Sequence, residues 1–212
     1  AGVSGNGQRE LADALAGLVR ASGCVRLEGR DLAESTPRER LEAGLSYIPE
    51  DRMEVGSILD FSVEENLILR DFDRPPLCRR GLLDLPAIRA RAADLIEEYS
   101  VRTPSATAPA RTLSGGNLQK VVLARELFRQ PRVLVAAQPT RGVDLGASQF
   151  IHKLLLDQRA SGTAILLISE DLDELRALSD RLAVFYGGRL VATCSPDLPL
   201  DQLGLWMAGA GR

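Results

Sequence analysis

Hydrophobic residues recur every three to four positions along several stretches of the chain and form short uninterrupted runs between them. The helical spacing is clear from residue 8 onward, where Leu11, Leu15 and Leu18 share one face. Apolar runs such as residues 164–168 are too short for helices and are typical of buried strands. The predicted helices span residues 8–19, 36–44, 62–69, 86–99, 113–128, 147–159 and a segment from 172. The predicted strands span residues 24–27, 45–48, 132–137, 164–168, 182–186 and 189–193.

Residues typical of helix ends and turns support these boundaries. Thr36 stands before a proline, which is the order of an N-cap and a first-turn proline. Ser62 and Glu65 have the spacing of a capping box. The pair Gly187 and Gly188 separates the last two predicted strands and indicates a hairpin.

Helices that alternate with apolar strands predict an α/β fold with a mostly parallel sheet flanked by helices. The middle of the chain, residues 63–103, is mostly helical and is predicted to be a subdomain inserted into the α/β core. A hairpin closes the pattern near the C-terminus. Residues 1–212 are therefore expected to form a single domain with one helical insert.

Composition narrows the classes of protein to which the chain can belong. Hydrophobic residues make up 45% of the 212 residues, enough for a core, which argues against a disordered or fibrous protein. The formal net charge of -3 provides no basic field, so nucleic acid is not the expected partner. Three cysteines without a CxxC spacing are typical of a reducing compartment. No apolar run approaches the length of a membrane span.

A glycine-rich segment, AGVSGNGQREL, opens the chain immediately before the first predicted helix. Its glycines have the spacing of the phosphate-binding loop G-x-x-x-x-G-K-[ST], in which backbone N–H groups and a helix N-terminus bind phosphate oxygens. The segment taken alone fits an ordinary strand-to-helix turn equally well. A phosphate loop normally follows a strand, and only Ala1 precedes this one, so we expect the leading strands of the domain to be missing from this chain. The predicted nucleotide-contacting residues of the loop are Gly2, Gly5, Asn6, Gly7, Gln8 and Arg9.

A second anion-binding segment, LSGGNLQK, opens the helix predicted at residues 113–128. Ser114 can cap this helix, and Gly115 and Gly116 leave its first N–H groups accessible to an anion. An N-cap with a flexible lead-in would explain the serine but not two adjacent glycines. The strand at residues 132–137 then runs into QPTRGVD, which places Asp144 in a turn.

The order and spacing of the phosphate loop, the LSGG segment and a strand followed by PT and G-x-D resemble the nucleotide-binding domain of ABC transporters. The resemblance covers essentially the whole chain and implies a P-loop NTPase-type α/β fold. YIPEDR at residues 47–52 resembles the family's glutamine-loop region, and LLISED at residues 166–171 resembles its switch-histidine strand. GNGQREL, IPEDR, LDFSVEENL, LSGGNLQK and QPTRGVD are similar to the second ATPase domain of fused importers for nucleosides and simple sugars.

The chain departs from the family's pattern at the residues that would handle its own nucleotide. Gln8 stands where the resemblance places the phosphate-binding lysine, and Arg9 stands where it places the Mg²⁺-binding hydroxyl. Ala137 replaces the aspartate that would hold the metal through water, so no metal is expected in this site.

Arg9 has two interpretations that the sequence does not separate. It can substitute for the missing cations, or it can be a solvated arginine paired with Glu10 or Asp13.

Three further positions have lost the residue that the resemblance implies. Gln138, Glu170 and Glu50 stand where the family has its catalytic base, its switch histidine and its loop glutamine. An amide cannot accept the proton of an attacking water. No catalytic residue is therefore expected to be intact, and it stays open whether the chain is itself an enzyme. The only histidine, His152, is predicted to be an ordinary surface residue of a helix.

The residues that the family uses on a partner's nucleotide are retained, whereas a drifting gene would lose them as readily as the others. These residues are Ser114, Gly115, Gly116 and Asp144. The resemblance therefore implies an ATP-binding domain that supplies these residues to the ATP and Mg²⁺ site of its partner. The expected partners are a second ABC ATPase domain, fused or separate, and membrane permease subunits. They do not include nucleic acid, and the expected location is the cytoplasmic face of the cell membrane, as a peripheral protein.

Two other functions stay open at the level of sequence. The first is a soluble ABC protein that acts on nucleic acid or ribosomes. The acidic balance of the chain argues against it. The second is a structural dimerisation domain that never binds nucleotide, against which the retained LSGG segment argues.

Overall fold

The computed structural model of the chain describes residues 1–210. These residues form two compact units. The first unit comprises Ala1–Tyr47, Pro131–Pro139 and the residues from His152 onward. The second unit comprises Ile48–Gln130 and Thr140–Ile151.

Short helices and strands alternate along the chain. The helices are α1 (Gln8–Ala16), α2 (Pro37–Glu42), α3 (Val63–Ile68), α4 (Leu85–Glu98), α5 (Gly115–Leu127), α6 (Leu145–Ala160), α7 (Leu172–Leu178) and α8 (Leu200–Met207). The strands are β1 (Arg26–Leu27), β2 (Arg30–Asp31), β3 (Leu45–Ile48), β4 (Cys78–Arg79), β5 (Leu82–Leu83), β6 (Val133–Ala137), β7 (Ala164–Ile168), β8 (Leu182–Tyr186) and β9 (Arg189–Cys194). A 3₁₀ turn at Ala110–Thr112 precedes α5.

The core of the first unit is a three-stranded sheet with the strand order β3-β6-β7. β6 and β7 run parallel, with Val133 opposite Ala164. α1 covers this sheet, since Ala12 and Ala16 are buried in one cluster with Val135. Small residues on the helix allow this close approach to the strand. The predicted α/β class, with parallel strands between helices, is confirmed.

The predicted hairpin near the C-terminus is also present. β8 and β9 pair antiparallel, and Gly187 and Gly188 form their turn with φ angles of 55° and 74°. α8, which the hydrophobic pattern did not predict, packs on this hairpin. Its Leu203 is buried in one cluster with Leu175 and Val184.

Two predicted elements are shorter in the structure. α1 ends at Ala16 rather than at residue 19, because Gly17 adopts a left-handed backbone with a φ of 79°. The strand predicted at residues 24–27 contains only β1, which pairs with β2 in a small antiparallel hairpin. Within residues 1–210, no helix combines the length and the apolar character needed to cross a bilayer.

A cavity of about 510 Å³ opens in the first unit beside Ala1. Residues of β7 and β8 line it, among them Leu167 and Leu182. The amino group of Ala1 donates a hydrogen bond to the carbonyl of Ala183 at 2.7 Å, and the N–H of Phe185 donates to the Ala1 carbonyl at 2.9 Å. The backbone of Ala1 is therefore hydrogen-bonded alongside β8. The expected leading strands of the domain stay a prediction.

Three helices, α3, α4 and α5, form the second unit. α3 begins at the predicted capping box: Ser62 accepts a hydrogen bond from the N–H of Glu65 at 3.2 Å, and the Glu65 carboxylate accepts one from the N–H of Ser62 at 2.7 Å. The hydrogen bonds from Ser62 lower the pKa of Glu65. The predicted helical insert, residues 63–103, lies inside this unit, and its bounds stay a prediction.

Buried charges fix α5 against its neighbours. Glu126 of α5 is almost fully buried and accepts hydrogen bonds from Arg125 at 2.9 Å and from Arg70 at 3.0 Å. Arg129 donates to Asp71 at 2.7 Å. Breaking a buried pair leaves an uncompensated charge, so these contacts strongly favour one position of α5. These contacts lie at the C-terminal end of α5, opposite the LSGG segment.

Candidate functional site

The glycine-rich loop lies in the first unit and is braced by the turn of the hairpin. Gly5 and Gly7 have φ angles of 83° and 102°, in the left-handed region that favours glycine. The Oδ1 atom of Asn6 accepts a hydrogen bond from the N–H of Gly187 at 2.8 Å. The N–H of Gly188 donates to the Asn6 carbonyl at 3.0 Å. Contacts within the chain therefore maintain the cradle shape of the loop.

Gln8 turns back into the loop. Its Nε2 atom donates a hydrogen bond to the carbonyl of Val3 at 3.1 Å, and the Nδ2 atom of Asn6 donates to the same carbonyl at 3.0 Å. Gly7 is the N-cap of α1 and provides no side-chain cap. The first N–H groups of α1 are therefore available to an anion, while the Gln8 amide is engaged within the loop.

The residues around the loop do not fit a magnesium ion. The Nε atom of Arg9 lies 3.8 Å from the Oδ2 atom of Asp13, and 67% of the Arg9 side chain is exposed, which is the geometry of an ordinary surface pair. Ala137 places a buried methyl group where a metal would need an oxygen ligand. Among the described residues, no three His, Cys, Asp or Glu side chains are placed to hold a metal.

The structure brings together the two positions at which the resemblance places the base and the switch residue. Gln138 follows β6 with a φ of 50°, and its N–H donates to the carbonyl of Ile168 at 2.7 Å. Its Oε1 atom accepts a hydrogen bond from the N–H of Glu170 at 3.2 Å. The contact therefore joins the Gln138 side chain to the backbone of Glu170.

His152 lies at the surface of α6, as predicted, and has a partner on α7. Its Nε2 atom is 2.8 Å from the Oε1 atom of Glu174 on α7, and the Glu174 side chain is 1% exposed. Packing between α6 and α7 placed this histidine, which the pattern of α6 alone could not show. The His152 side chain itself is 31% exposed and is not part of the glycine-rich loop.

The LSGG segment begins α5 in the second unit. Ser114 is the N-cap, and its hydroxyl accepts hydrogen bonds from the Asn117 backbone N–H at 3.4 Å and from the Asn117 side chain at 2.9 Å. Ser114 is exposed, whereas Gly116 is buried. The N-terminal turn of a 13-residue helix is thus presented with an exposed hydroxyl beside it.

Asp144 lies next to the N-terminal turn of α5. Its Oδ1 atom accepts a hydrogen bond from the N–H of Ala147 at 2.9 Å, at the first turn of α6. A Cβ atom at Gly116 would lie 3.4 Å from the Oδ2 atom of Asp144 and 3.2 Å from the Cβ atom of Ala147. The predicted residues of the LSGG segment and the turn after β6 are therefore neighbours within one unit.

Glu50 has a partner that the sequence did not reveal. Its carboxylate forms an ion pair with Arg141 in the turn that leads to Asp144. Arg52, to which no role was assigned, donates hydrogen bonds to the carbonyls of Arg141 at 2.5 Å and Gly142 at 3.1 Å. In the sequence, the contact between Arg52 and the turn is indicated only by the residue types at positions 52 and 142, an arginine and a glycine.

Lys120, one turn further along α5, packs against the same region. Its Nζ atom donates to the carbonyl of Ser100 at 2.9 Å and lies 4.7 Å from the ring centroid of Phe150. Partial burial, and next the charge of Arg102, lower the pKa of Lys120, whereas Asp144 opposes the shift. The ammonium group is therefore tied to the helix pair and does not extend freely into solvent.

The two units thus differ in what they retain. The first contains the altered loop, Ala137 and the joined pair Gln138 and Glu170. The second contains the intact helix N-terminus with Ser114, and Asp144 beside it. The second unit can present an anion-binding helix end, and the first keeps a cradle without lysine or metal ligands.

Comparison with known proteins agrees with this geometry. A family model described as ABC transporter matches residues 1–141. The chain is 46% identical over 212 residues to a guanosine import ATP-binding protein, NupO, of Bacillus subtilis, across 99% of this chain and 42% of that protein. It is 47% identical over 215 residues to a glucose import ATP-binding protein, TsgD13, of Haloferax volcanii, across 100% of this chain and 39% of that protein. The chain therefore spans about two fifths of the length of these relatives.

Solved structures share the fold. The dimeric ATP-binding cassette MJ0796 superposes with a TM-score of 0.76 at 20% identity, covering 92% of this chain and 83% of the other. A post-hydrolysis state of the same cassette bound to ADP and Pi gives a TM-score of 0.74 with the same coverage. Together with the family match over residues 1–141, these findings show that the chain belongs to the ABC transporter family.

Proposed function

We propose that this chain is an ATP-binding domain of an importer for nucleosides or simple sugars, and that its own nucleotide site does not hydrolyse ATP. The names of the relatives, which import guanosine, glucose, nucleosides and ribose, support the substrate class. The single observation that supports the second part is the Gln138 amide, which stands where the resembled family has a base and accepts a hydrogen bond from the N–H of Glu170.

The loop of the first unit retains enough to hold phosphate weakly. The N–H groups at the start of α1 and the left-handed Gly5 and Gly7 form a cradle that favours an anion. Gln8 contributes no charge and is bonded to Val3. ATP would therefore be held by backbone groups, and hydrolysis would lack the charge neutralisation on which phosphoryl transfer depends.

The second unit supplies residues to the ATP site of a partner domain. The Ser114 hydroxyl and the N–H groups at the start of α5 would donate hydrogen bonds to the terminal phosphate of the partner's ATP. Gly115 and Gly116 let this phosphate approach the backbone without a Cβ atom in the way. Asp144 would order the turn that faces the partner. The lysine, the metal ligands and the base belong to the partner domain.

The same unit carries the surface proposed to bind the permease. The residues between β3 and α3 expose several large apolar side chains, which are Met53, Val55, Ile58 and Phe61 at 53%, 50%, 41% and 41%. Four exposed apolar side chains within nine residues are a candidate binding surface. Docking through this surface would place the chain at the cytoplasmic face of the membrane.

One experiment separates this function from a symmetric ATPase. Steady-state ATP hydrolysis is measured for the assembled transporter that carries Ser114→Arg or Gln8→Ala. We expect Ser114→Arg to abolish hydrolysis, because the exposed hydroxyl is lost and a long side chain takes the place of the phosphate. Gln8→Ala should retain most of it, because the site of Gln8 performs no chemistry. Equal loss in both variants would contradict the proposed asymmetry.

A further inference from the structure

Residues 50–52 and residues 141–142 of the second unit contact each other through side chains from both segments. The carboxylate of Glu50 forms an ion pair with the guanidinium of Arg141. In return, the guanidinium of Arg52 donates hydrogen bonds to the carbonyls of Arg141 at 2.5 Å and Gly142 at 3.1 Å. These four residues, Glu50, Arg52, Arg141 and Gly142, are called the 50–142 clamp below. Three polar contacts between segments about ninety residues apart define a specific conformation of the turn.

Arg52 also occupies the space over the start of α5. A Cβ atom at Gly115 would lie 2.8 Å from the Nη2 atom of Arg52, and one at Gly142 would lie 3.3 Å from the same atom. Real Cβ contacts are essentially never as short as the first of these distances. The glycine at 115 therefore leaves room for a guanidinium of the same chain, in addition to any phosphate.

The turn held by the clamp ends at Asp144. The Oδ2 atom of Asp144 faces the position of a Cβ atom on Gly116 at 3.4 Å, and its Oδ1 atom caps Ala147. Arg52, the turn and the helix start are thus contiguous.

We propose that Glu50 and Arg52 are positioning residues that set the conformation of the turn 141–144 and so hold Asp144 beside the start of α5. The effect on a partner's ATP rests on the proposed function, whereas the conformational effect does not. The apolar surface at Met53–Phe61 directly follows Arg52 in the chain.

Lysine is the informative replacement for Arg52. Its ammonium keeps the charge but cannot donate two parallel N–H groups to successive carbonyls, as the planar guanidinium does. Glu50→Gln removes the ion pair and keeps the shape. The matched control is Arg159→Lys, because Arg159 donates to Asp180 at 3.1 Å in the first unit, outside the clamp.

The first test is hydrogen–deuterium exchange of the full chain, which requires neither nucleotide nor partner. In Arg52→Lys and Glu50→Gln we expect the amides of residues 141–147 to exchange about tenfold faster, while the strand Val133–Ala137 is unchanged. Arg159→Lys should leave residues 141–147 as in the parent chain. Exchange of residues 141–147 that is equal in Arg52→Lys and Arg159→Lys would overturn the proposal.

The second test uses charge reversal, which keeps the proposal falsifiable if Glu50→Gln unfolds. Glu50→Arg or Arg141→Glu alone should accelerate exchange of the turn, and the double variant should restore it. Failure of the double variant to restore slow exchange would overturn the ion pair as the cause. ATP hydrolysis of the assembled transporter then reports the consequence: Arg52→Lys should lower it by about tenfold at unchanged KM for ATP. Altered exchange with normal hydrolysis would reject the proposed function of Asp144 and leave the clamp standing.

Discussion

The amide oxygen of Gln138 accepts a hydrogen bond from the backbone N–H of Glu170 at 3.2 Å. In the resembled family these positions carry a base and a switch residue, and here they bind each other. Because an amide cannot accept a proton from water, we predict that the isolated chain hydrolyses no ATP above background. Phosphate release is measured across the fractions of a gel filtration. Release that follows the protein peak would contradict this prediction.

Restoring the metal ligand should damage the fold before it restores chemistry. Ala137 is 3% exposed and packs among Ala12, Ala16 and Val135, so Ala137→Asp places an unpaired carboxylate in an apolar cluster. We predict that this change lowers the free energy of unfolding by about 3–5 kcal/mol, measured by urea denaturation. Gln138→Glu, at the exposed end of the strand, serves as the control and should cost less than about 1 kcal/mol. Equal stability of the two variants would show that the cluster tolerates charge.

Replacing Gln8 by lysine should not create a second active site. The substitution removes one of the two hydrogen bonds to the Val3 carbonyl and adds a charge to the loop, but Ala137 and Gln138 at the end of β6 are unchanged. We predict tighter binding of a fluorescent ATP analogue to Gln8→Lys, because a cation now faces the phosphates. Hydrolysis should stay at background. Turnover by Gln8→Lys alone would mean that the chain has a base elsewhere.

The proposed permease surface can be tested by cross-linking. Ser57 is buried and donates its hydroxyl to the carbonyl of Arg52 at 2.7 Å, so it is a poor site for a probe. Cysteines at Ile58 and at Asp60 are better placed, since both side chains are exposed. We predict cross-links from these two positions to the permease at several times the yield from Arg159→Cys. The native cysteines, Cys24, Cys78 and Cys194, are first replaced by serine.

Comparable yields from all three positions would remove the argument that the segment after Arg52 is a docking surface. That outcome would leave the exchange behaviour of the 50–142 clamp untouched, since exchange is measured without a permease.

The raised pKa of Tyr99 predicts that the folded chain loses stability at alkaline pH. Burial, with a smaller effect of neighbouring Glu98, raises the pKa of Tyr99 from 10.0 to about 12. The unfolded chain loses the phenol proton near pH 10 and the folded chain keeps it to about pH 12. The stabilisation is therefore complete below pH 10 and is lost as the pH rises to 12.

Urea midpoints from pH 9 to pH 12 measure this effect. Tyr99→Phe should fall less steeply with pH than the parent chain, because its side chain has no proton to lose. Tyr186→Phe, at a tyrosine that is 43% exposed, is the control and should follow the parent. Parallel curves for all three proteins would contradict the raised pKa.

Local signals in the sequence were sufficient wherever a single segment determines its own structure. The capping residues Thr36 and Ser62 begin helices as predicted, and the apolar run at 164–168 is a strand. These features depend on hydrogen bonds and burial patterns within a few residues. The turn that carries Asp144 follows the predicted strand at residues 132–137, which is β6 in the structure.

Contacts between distant segments could not be predicted. Nothing near Arg52 in the sequence indicates that its partners are carbonyls about ninety residues away, and α8 was missed because its apolar residues match no long helical pattern. The partner of His152, Glu174, was not indicated either, because it lies on another helix. Side-chain partners of this kind depend on tertiary packing, which periodicity does not report.

The hydrogen bonds of Asn6 with Gly187 and Gly188 join segments about 181 residues apart. During synthesis, the loop therefore reaches its final shape only after the residues between these segments have been made. Contacts this far apart in sequence form late and slow the folding of the region that contains them. A nascent chain stalled before residue 187 would contain all of α1, but its glycine-rich loop would lack the hydrogen bonds to Gly187 and Gly188. In this protein the order of translation and the order of loop formation are opposed.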